Sequence, residues 1–166
     1  MEMPICETCL SSETLCNACK NKLDLNEITQ TEIDVSKFVN ELSGSIKSLQ
    51  DVKIEKVIDS NIFIIISGKG DGAKLVGKGG SVVKALAKKF GKGIKIIENI
   101  NEFRPFIESL VSPAVVNGIN TIYSQNGEKL KIRIPSSFKS NMVVSIEDVI
   151  NISESMFDKK VEVVFD

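Results

Sequence analysis

The chain has no histidine and no tryptophan, and its 166 residues include one tyrosine and eight phenylalanines. Without histidine, the side chain that most often moves protons near neutral pH is missing. Long apolar runs are also missing. The densest, Ile62 to Ile66, has the length of a strand and cannot span a membrane. The N-terminus lacks the apolar stretch of an export signal, so a cytoplasmic protein with no membrane partner is expected. Net charge is nearly absent as well, at −1.

That small net charge conceals a strong asymmetry. Residues 1–66 sum to −5, residues 67–95 to +7 and residues 96–166 to −3. The central 29 residues hold eight lysines and a single acid, Asp71. A local basic patch on an otherwise acidic surface attracts polyanions while limiting non-specific adhesion. A solvated helix face would also be rich in lysine, so lysine count alone does not separate the two readings. Apolar residues make up 42% of the chain, enough for folded cores.

All four cysteines lie in the first 19 residues, as Cys6, Cys9, Cys16 and Cys19. The doubled C-x2-C spacing turns two pairs of thiolates toward one point, as a tetrahedral zinc shell requires. An even count without an export signal favours metal over disulfides. Four thiolates leave no open coordination position, so the zinc is expected to be structural, folding a segment too short for its own core.

Downstream, residues 23–30 are polar and read as a linker. A helix is expected from Thr31, which can cap it with Asp34 three residues on. The apolar spacing of Val35, Phe38, Val39, Leu42, Ile46 and Leu49 supports it. Val52–Val57 and Ile62–Ile66 read as strands, Ala73–Val76 as one helical turn, Ser81–Phe90 as a helix and Ile94–Ile97 as a third strand. From residue 101 the order repeats at a period of about 65–70 residues. A helix over Glu102–Leu110 is followed by strands over Val115–Tyr123 and Lys129–Ile134, joined by an Asn126-Gly127 turn. A helix capped by Ser145 and a strand over Lys160–Phe165 complete the second copy.

Between Val76 and Ser81 stands Gly77-Lys78-Gly79-Gly80. It fails as a Walker loop, because Gly79 follows the lysine where a hydroxyl should hold magnesium. A dinucleotide fingerprint can be traced through Gly68, Gly70 and Ala73. Its helix is cut by the second glycine group, and the acid expected some twenty residues on is missing. What does fit is a G-x-x-G loop between two short helices, the backbone clamp of a KH domain. Glycines let a sugar-phosphate chain approach closely, the helix beginning at Ser81 aims amides at it, and Lys74, Lys78 and Lys84 offset phosphate charge. A tight helix–helix turn would also use glycine, but does not need three in four positions with lysines alongside. No carboxylate cluster stands near the loop and the cysteines are committed elsewhere, so no enzyme activity and no small-molecule substrate are expected.

The stretch Leu75-Val76-GKGG-Ser81-Val82-Val83-Lys84-Ala85-Leu86 resembles the first KH domain of NusA-type transcription elongation and termination factors. Asn101 to Ala114, with its Ser-Pro-Ala ending, resembles the helix that links the two KH domains there. The resemblance covers about residues 31–166. It implies a type II KH domain over 31–100 and a second KH-like domain over 101–166; with the four-cysteine zinc knuckle over residues 1–22 and the linker over 23–30 read above, the chain is expected to be α+β. The α-β-β-α-α-β order matches type II. The second copy has Ser136 to Asn141 in place of a G-x-x-G and is degenerate in this respect. A zinc-binding N-terminus before a KH pair resembles the archaeal form. The implied function is non-enzymatic binding of single-stranded nascent RNA during elongation or termination, through Gly77, Lys78, Gly79, Gly80, Lys74, Ser81 and Lys84, with RNA polymerase as a further partner. Scarce aromatics imply modest base preference and strong salt dependence. Two alternatives stand beside it: a ribosome-associated or RNA-processing KH protein, and a protein-interaction adaptor without strong RNA binding.

Overall fold

The computed structural model describes residues 1–166. The chain is α+β, with two three-stranded sheets and a cysteine cluster at its N-terminus. It divides into two compact units, Met1–Asn99 and Ile100–Asp166. No helix is long and apolar enough to cross a membrane.

The first unit begins with two short helices, α1 (Glu7–Leu10) and α2 (Asn17–Asp24), followed by the longer α3 (Gln30–Ser43). The cap of α3 is Thr29, two residues before the expected Thr31. The Thr29 hydroxyl accepts the Glu32 amide at 3.2 Å, and the Glu32 carboxylate accepts the Thr29 amide at 2.9 Å. This reciprocal box outcompetes Thr31, whose hydroxyl donates to Asp59 instead. The second oxygen of Glu32 accepts the amide of Val57 at 3.1 Å, so a carboxylate that is 4% exposed joins the helix start to a strand. Helix α3 ends at Ser43, before a separate 3-10 turn at Lys47–Leu49. Residues 23–30 hold the end of α2, Asn26 in the left-handed region and the buried Ile28. They contribute to a packed core, in contrast to the polar linker expected there.

Strands β1 (Ile54–Asp59) and β2 (Phe63–Ser67) pair antiparallel, and β2 pairs in parallel with β3 (Ile94–Glu98). Every residue of β2 is buried. Between β2 and β3 the chain forms α4 (Gly72–Val76), a 3-10 turn at Lys78–Gly80 and α5 (Ser81–Phe90). One sheet face packs Val57, Phe63 and Ile65 against Val35 and Val39 of α3, Leu75 of α4, and Val82 and Leu86 of α5. Phe90 closes this core against Phe38 and Phe63, with ring centroids 5.9 and 5.4 Å away. Gly91, at φ +65°, ends α5. The N-terminus adds a parallel bridge at the β1 edge, with the Glu2 amide donating to Val52 and the Ile54 amide to Glu2.

The second unit has α6 (Phe103–Val111), β4 (Gly118–Ser124), β5 (Gly127–Ile134), α7 (Ile146–Phe157) and β6 (Lys160–Phe165). Its strands repeat the order and directions of the first sheet: β4 antiparallel to β5, and β5 parallel to β6. Along β5, buried Leu130, Ile132 and Ile134 alternate with Lys129, Lys131 and Arg133. Strand β4 begins three residues later than its apolar pattern predicts, because Val115 lies exposed in irregular chain after Pro113. Ser145 caps α7 through the Asp148 amide, and Phe157 meets Phe103 and Phe106 edge-on. Where the first unit has α4 and the glycine loop, the second has only a 3-10 turn at Ser136–Phe138.

Candidate metal centre and nucleic-acid interface

The four cysteine sulfurs lie within 4.8 Å of one another. Cys6 and Cys16 each stand at the N-cap of a helix, and Cys9 and Cys19 follow one turn later. That spacing turns both thiols of a pair to the same side. Amides are aimed at the sulfurs: Cys19 donates to Cys16 Sγ at 3.4 Å, Cys16 to Cys9 Sγ at 3.1 Å and Cys6 to Cys19 Sγ at 3.4 Å.

These contacts split the acidities of the thiols. The Cys19 amide is the main reason the Cys16 thiol falls to about 7. Cys6 is lowered too, first by the Cys9 backbone amide. Cys9 rises to about 12; the Cys16 amide acts to lower it, but burial and the three neighbouring thiols together prevail. Cys19 is raised too: the Cys6 amide and the Cys9 thiol act to lower it, but burial and the Cys16 and Cys6 thiols prevail. Thiolates this close oppose one another's ionisation unless a cation sits among them. An all-sulfur donor set converging on one point can therefore hold a metal ion, and it leaves no open position. The cluster shares a core with the body, where Ile5, Cys9, Leu10 and Cys19 pack with Ile28 and Ile33. Asn40 and Lys37 of α3 add bonds to the Leu10 and Glu13 carbonyls, both at 3.3 Å.

In the glycine loop, Gly77 has φ 79° and ψ 167°, a conformation available essentially to glycine alone. A Cβ there would lie 2.6 Å from Val82 Cγ2. Gly79 and Gly80 are both left-handed, at φ 62° and 75°. Nothing lies within 4 Å of where a Gly79 Cβ would be, and Lys78, Gly79 and Ser81 are exposed. No side chain caps α5; its first amide, that of Ser81, donates back to the Lys78 carbonyl and closes the turn. Lys84, one turn along α5, folds back to donate to the Gly79 carbonyl at 3.2 Å. Val76, 39% exposed, borders the loop on the α4 side.

Gly77, Lys78, Gly79, Gly80, Ser81 and Lys84 thus meet at one surface. Lys74 differs from expectation. Its ammonium is held by Asp71 at 3.0 Å and Asp51 at 3.2 Å, and the Asp71 hydrogen bond is the main reason its pKa is raised. Its charge is offset within the protein. Asp51 lies 23 residues away in sequence, which is why spacing did not reveal this pairing.

The sequence reading also missed Glu98. Its carboxylate accepts the amides of Gly70 at 3.2 Å and Gly72 at 3.1 Å, at the start of α4. These are the amides a dinucleotide phosphate would need, and they are already taken. The Asp71 carboxylate meanwhile accepts the Lys53 amide at 3.0 Å. In the loop at 77–80 the Gly77 amide donates to the Ala73 carbonyl and the Gly80 amide to the Gly77 carbonyl, so the exposed Lys78 and Gly79 are the part open to an incoming ligand.

No family model matches the chain. Over 77 residues it is 31% identical to the probable transcription termination protein NusA of Methanocaldococcus jannaschii, a stretch covering 46% of this chain and 42% of that protein. Over 60 residues it is 33% identical to the protein of the same name from Methanococcus vannielii, covering 36% and 35%. The matches span less than half the length of these curated relatives. Among solved structures, that of APE1850 superposes with a TM-score of 0.52 at 17% identity, covering 75% of this chain and 96% of the other, which is a likeness of fold. Over roughly two-fifths of its length the chain is therefore distantly similar to archaeal NusA proteins.

Proposed function

We propose that the chain is a non-enzymatic, NusA-like RNA-binding factor, whose first unit is a type II KH domain that clamps single-stranded RNA through Gly77-Lys78-Gly79-Gly80. The observation that carries this reading is the loop itself. Two left-handed glycines and an uncapped ten-residue helix face solvent beside an exposed lysine. The Lys78 ammonium and the exposed backbone at Lys78-Gly79 hold phosphate oxygens, while Val76 offers apolar surface to the bases. The archaeal relatives are named as probable termination proteins, which supports nascent transcripts as the RNA and RNA polymerase as a partner. The cysteine cluster holds structural zinc. The second unit shares the strand order but has no loop to clamp RNA, and acts as a support or protein-binding surface.

The test is binding of a single-stranded oligoribonucleotide to the zinc-loaded chain and to a Lys78→Asp/Gly79→Asp double variant. An acid placed beside phosphate should abolish measurable affinity at moderate salt while the circular dichroism spectrum stays unchanged. Equal affinity in a folded double variant would sink the proposal. Capture of polymerase subunits, rather than ribosomal proteins or nucleases, separates transcription from ribosomal or processing roles.

A further inference from the structure

Each sheet has two edges, and three of the four are blunted. The β1 edge is bridged by Glu2. Strand β3 carries Lys95 and ends in Glu98; β6 opens on Lys160 and carries Glu162. Charges along an edge discourage pairing with another strand. The remaining edge is β4, Gly-Ile-Asn-Thr-Ile-Tyr-Ser, with no charged residue in a chain that is 26% charged. It pairs with β5 over all seven residues without a bulge, so its free side is straight. Neither proline nor lysine guards it.

Burial leaves most of this strand exposed, with Gly118, Ile119 and Ile122 half-buried. Thr121 and Tyr123 share a face with the buried Leu130 and Ile132, yet Thr121 is exposed and Tyr123 is 76% exposed. On the opposite face Asn120 is exposed and Ile122 half-buried.

We infer that β4 pairs antiparallel with β4 of a second copy of this chain, centred on Thr121, to join two three-stranded sheets into one of six. The strand is self-complementary in that register. Thr121 meets Thr121, Ile119 meets Tyr123 twice, and Asn120 meets Ile122 twice. A threonine pair and two aromatic–β-branched pairs are among the favourable cross-strand combinations, and no like charges meet. Each residue meets one on its own face of the sheet, so both helical layers stay on the same side. The two-fold arrangement consumes both β4 edges and leaves only the charged β6 edges outside, so assembly stops at two. Seven residues form a small interface, and the pair is a weak one that populates with concentration.

Sedimentation equilibrium of the zinc-loaded full chain, from about 1 μM to about 1 mM, measures this directly. The weight-average mass should climb from one chain toward two. Thr121→Lys, which sets two ammonium groups against each other at the two-fold, should hold it at one, and Thr121→Val should restore the rise. Tyr123 is the only tyrosine and tryptophan is absent, so tyrosine emission reports on this strand alone. Its quenching by acrylamide should weaken as the wild-type chain is concentrated and stay constant in Thr121→Lys. A wild-type mass of one chain throughout would overturn the inference. So would a Thr121→Lys protein that still dimerises, or growth beyond two chains.

Discussion

Glu98 at the end of β3 accepts the amide of Gly72 at 3.1 Å, fastening the start of α4 to the sheet. The same carboxylate takes the Gly70 amide, so one side chain holds the approach to the glycine loop. Glu98→Ala leaves two donors unpaired, one of them on buried Gly72, and should lower unfolding free energy by about 1–3 kcal/mol in urea titrations. RNA affinity should change little once the protein is folded. A rise in affinity would instead mean that phosphate seats at the α4 amides.

Gly77 and Gly79 should respond differently to alanine. Gly77→Ala forces a Cβ to 2.6 Å from Val82 Cγ2 and into backbone space that alanine avoids, so it should cost about 3 kcal/mol or more. Gly79→Ala meets no atom and carries only the left-handed penalty, about 1–2 kcal/mol. Thermal denaturation of the two variants distinguishes a loop shaped by packing at one position from one kept open at the other.

Two lysines four residues apart should also separate. Lys78 is exposed with no ion pair, whereas Lys74 is held by Asp71 and Asp51. Replacing Lys78 by methionine should weaken RNA binding and reduce the slope of log affinity against log salt by about 0.7 for the lost phosphate contact. Lys74→Met should leave that slope nearly unchanged while lowering stability. Titrations at several salt concentrations give both quantities.

Removing metal should be felt beyond the cysteines. Cys9 and Cys19 are buried in the same cluster as Ile28 and Ile33, and α3 belongs to both this core and the sheet core. Chelation, or Cys19→Ser, should therefore lower the melting temperature of the first unit. A loss of even about 2 kcal/mol moves the midpoint of a domain this size by roughly 8–16 °C. Calorimetry with and without chelator reads the shift, and a chromogenic chelator counts the metal released.

Acid should loosen the first unit through Asp59. Its carboxyl is lowered first by the hydrogen bond from Lys92 at 2.5 Å, then aided by Thr31. A folded pKa below the unfolded one adds stability that is present at neutral pH and fades as pH falls through and below the ordinary carboxylate range of about 4. Asp59→Asn should flatten the stability profile in that window. The group is substantially exposed, so the change is a small one, visible as a shift in the acid midpoint.

Much of this protein is local in origin. Doubled Cys-x-x-Cys pairs placed four thiols on two helix starts, because three-residue spacing puts the first and last residue of a turn on one side. Period-2 and period-3.6 patterns located the strands and most helices, and glycine at 77, 79 and 80 marked backbone that other residues resist. These features depend on neighbours a few residues apart, so they can be read along the chain. The tertiary structure decided what the loop's surroundings do. Glu98 reaches back 26 and 28 residues to close the α4 amides, Asp51 crosses 23 to take Lys74, and Glu32 crosses 25 to bind β1. It likewise decided that Ile28 is core and that β4 is an open edge, since burial and strand partnership are set by which distant segments pack together.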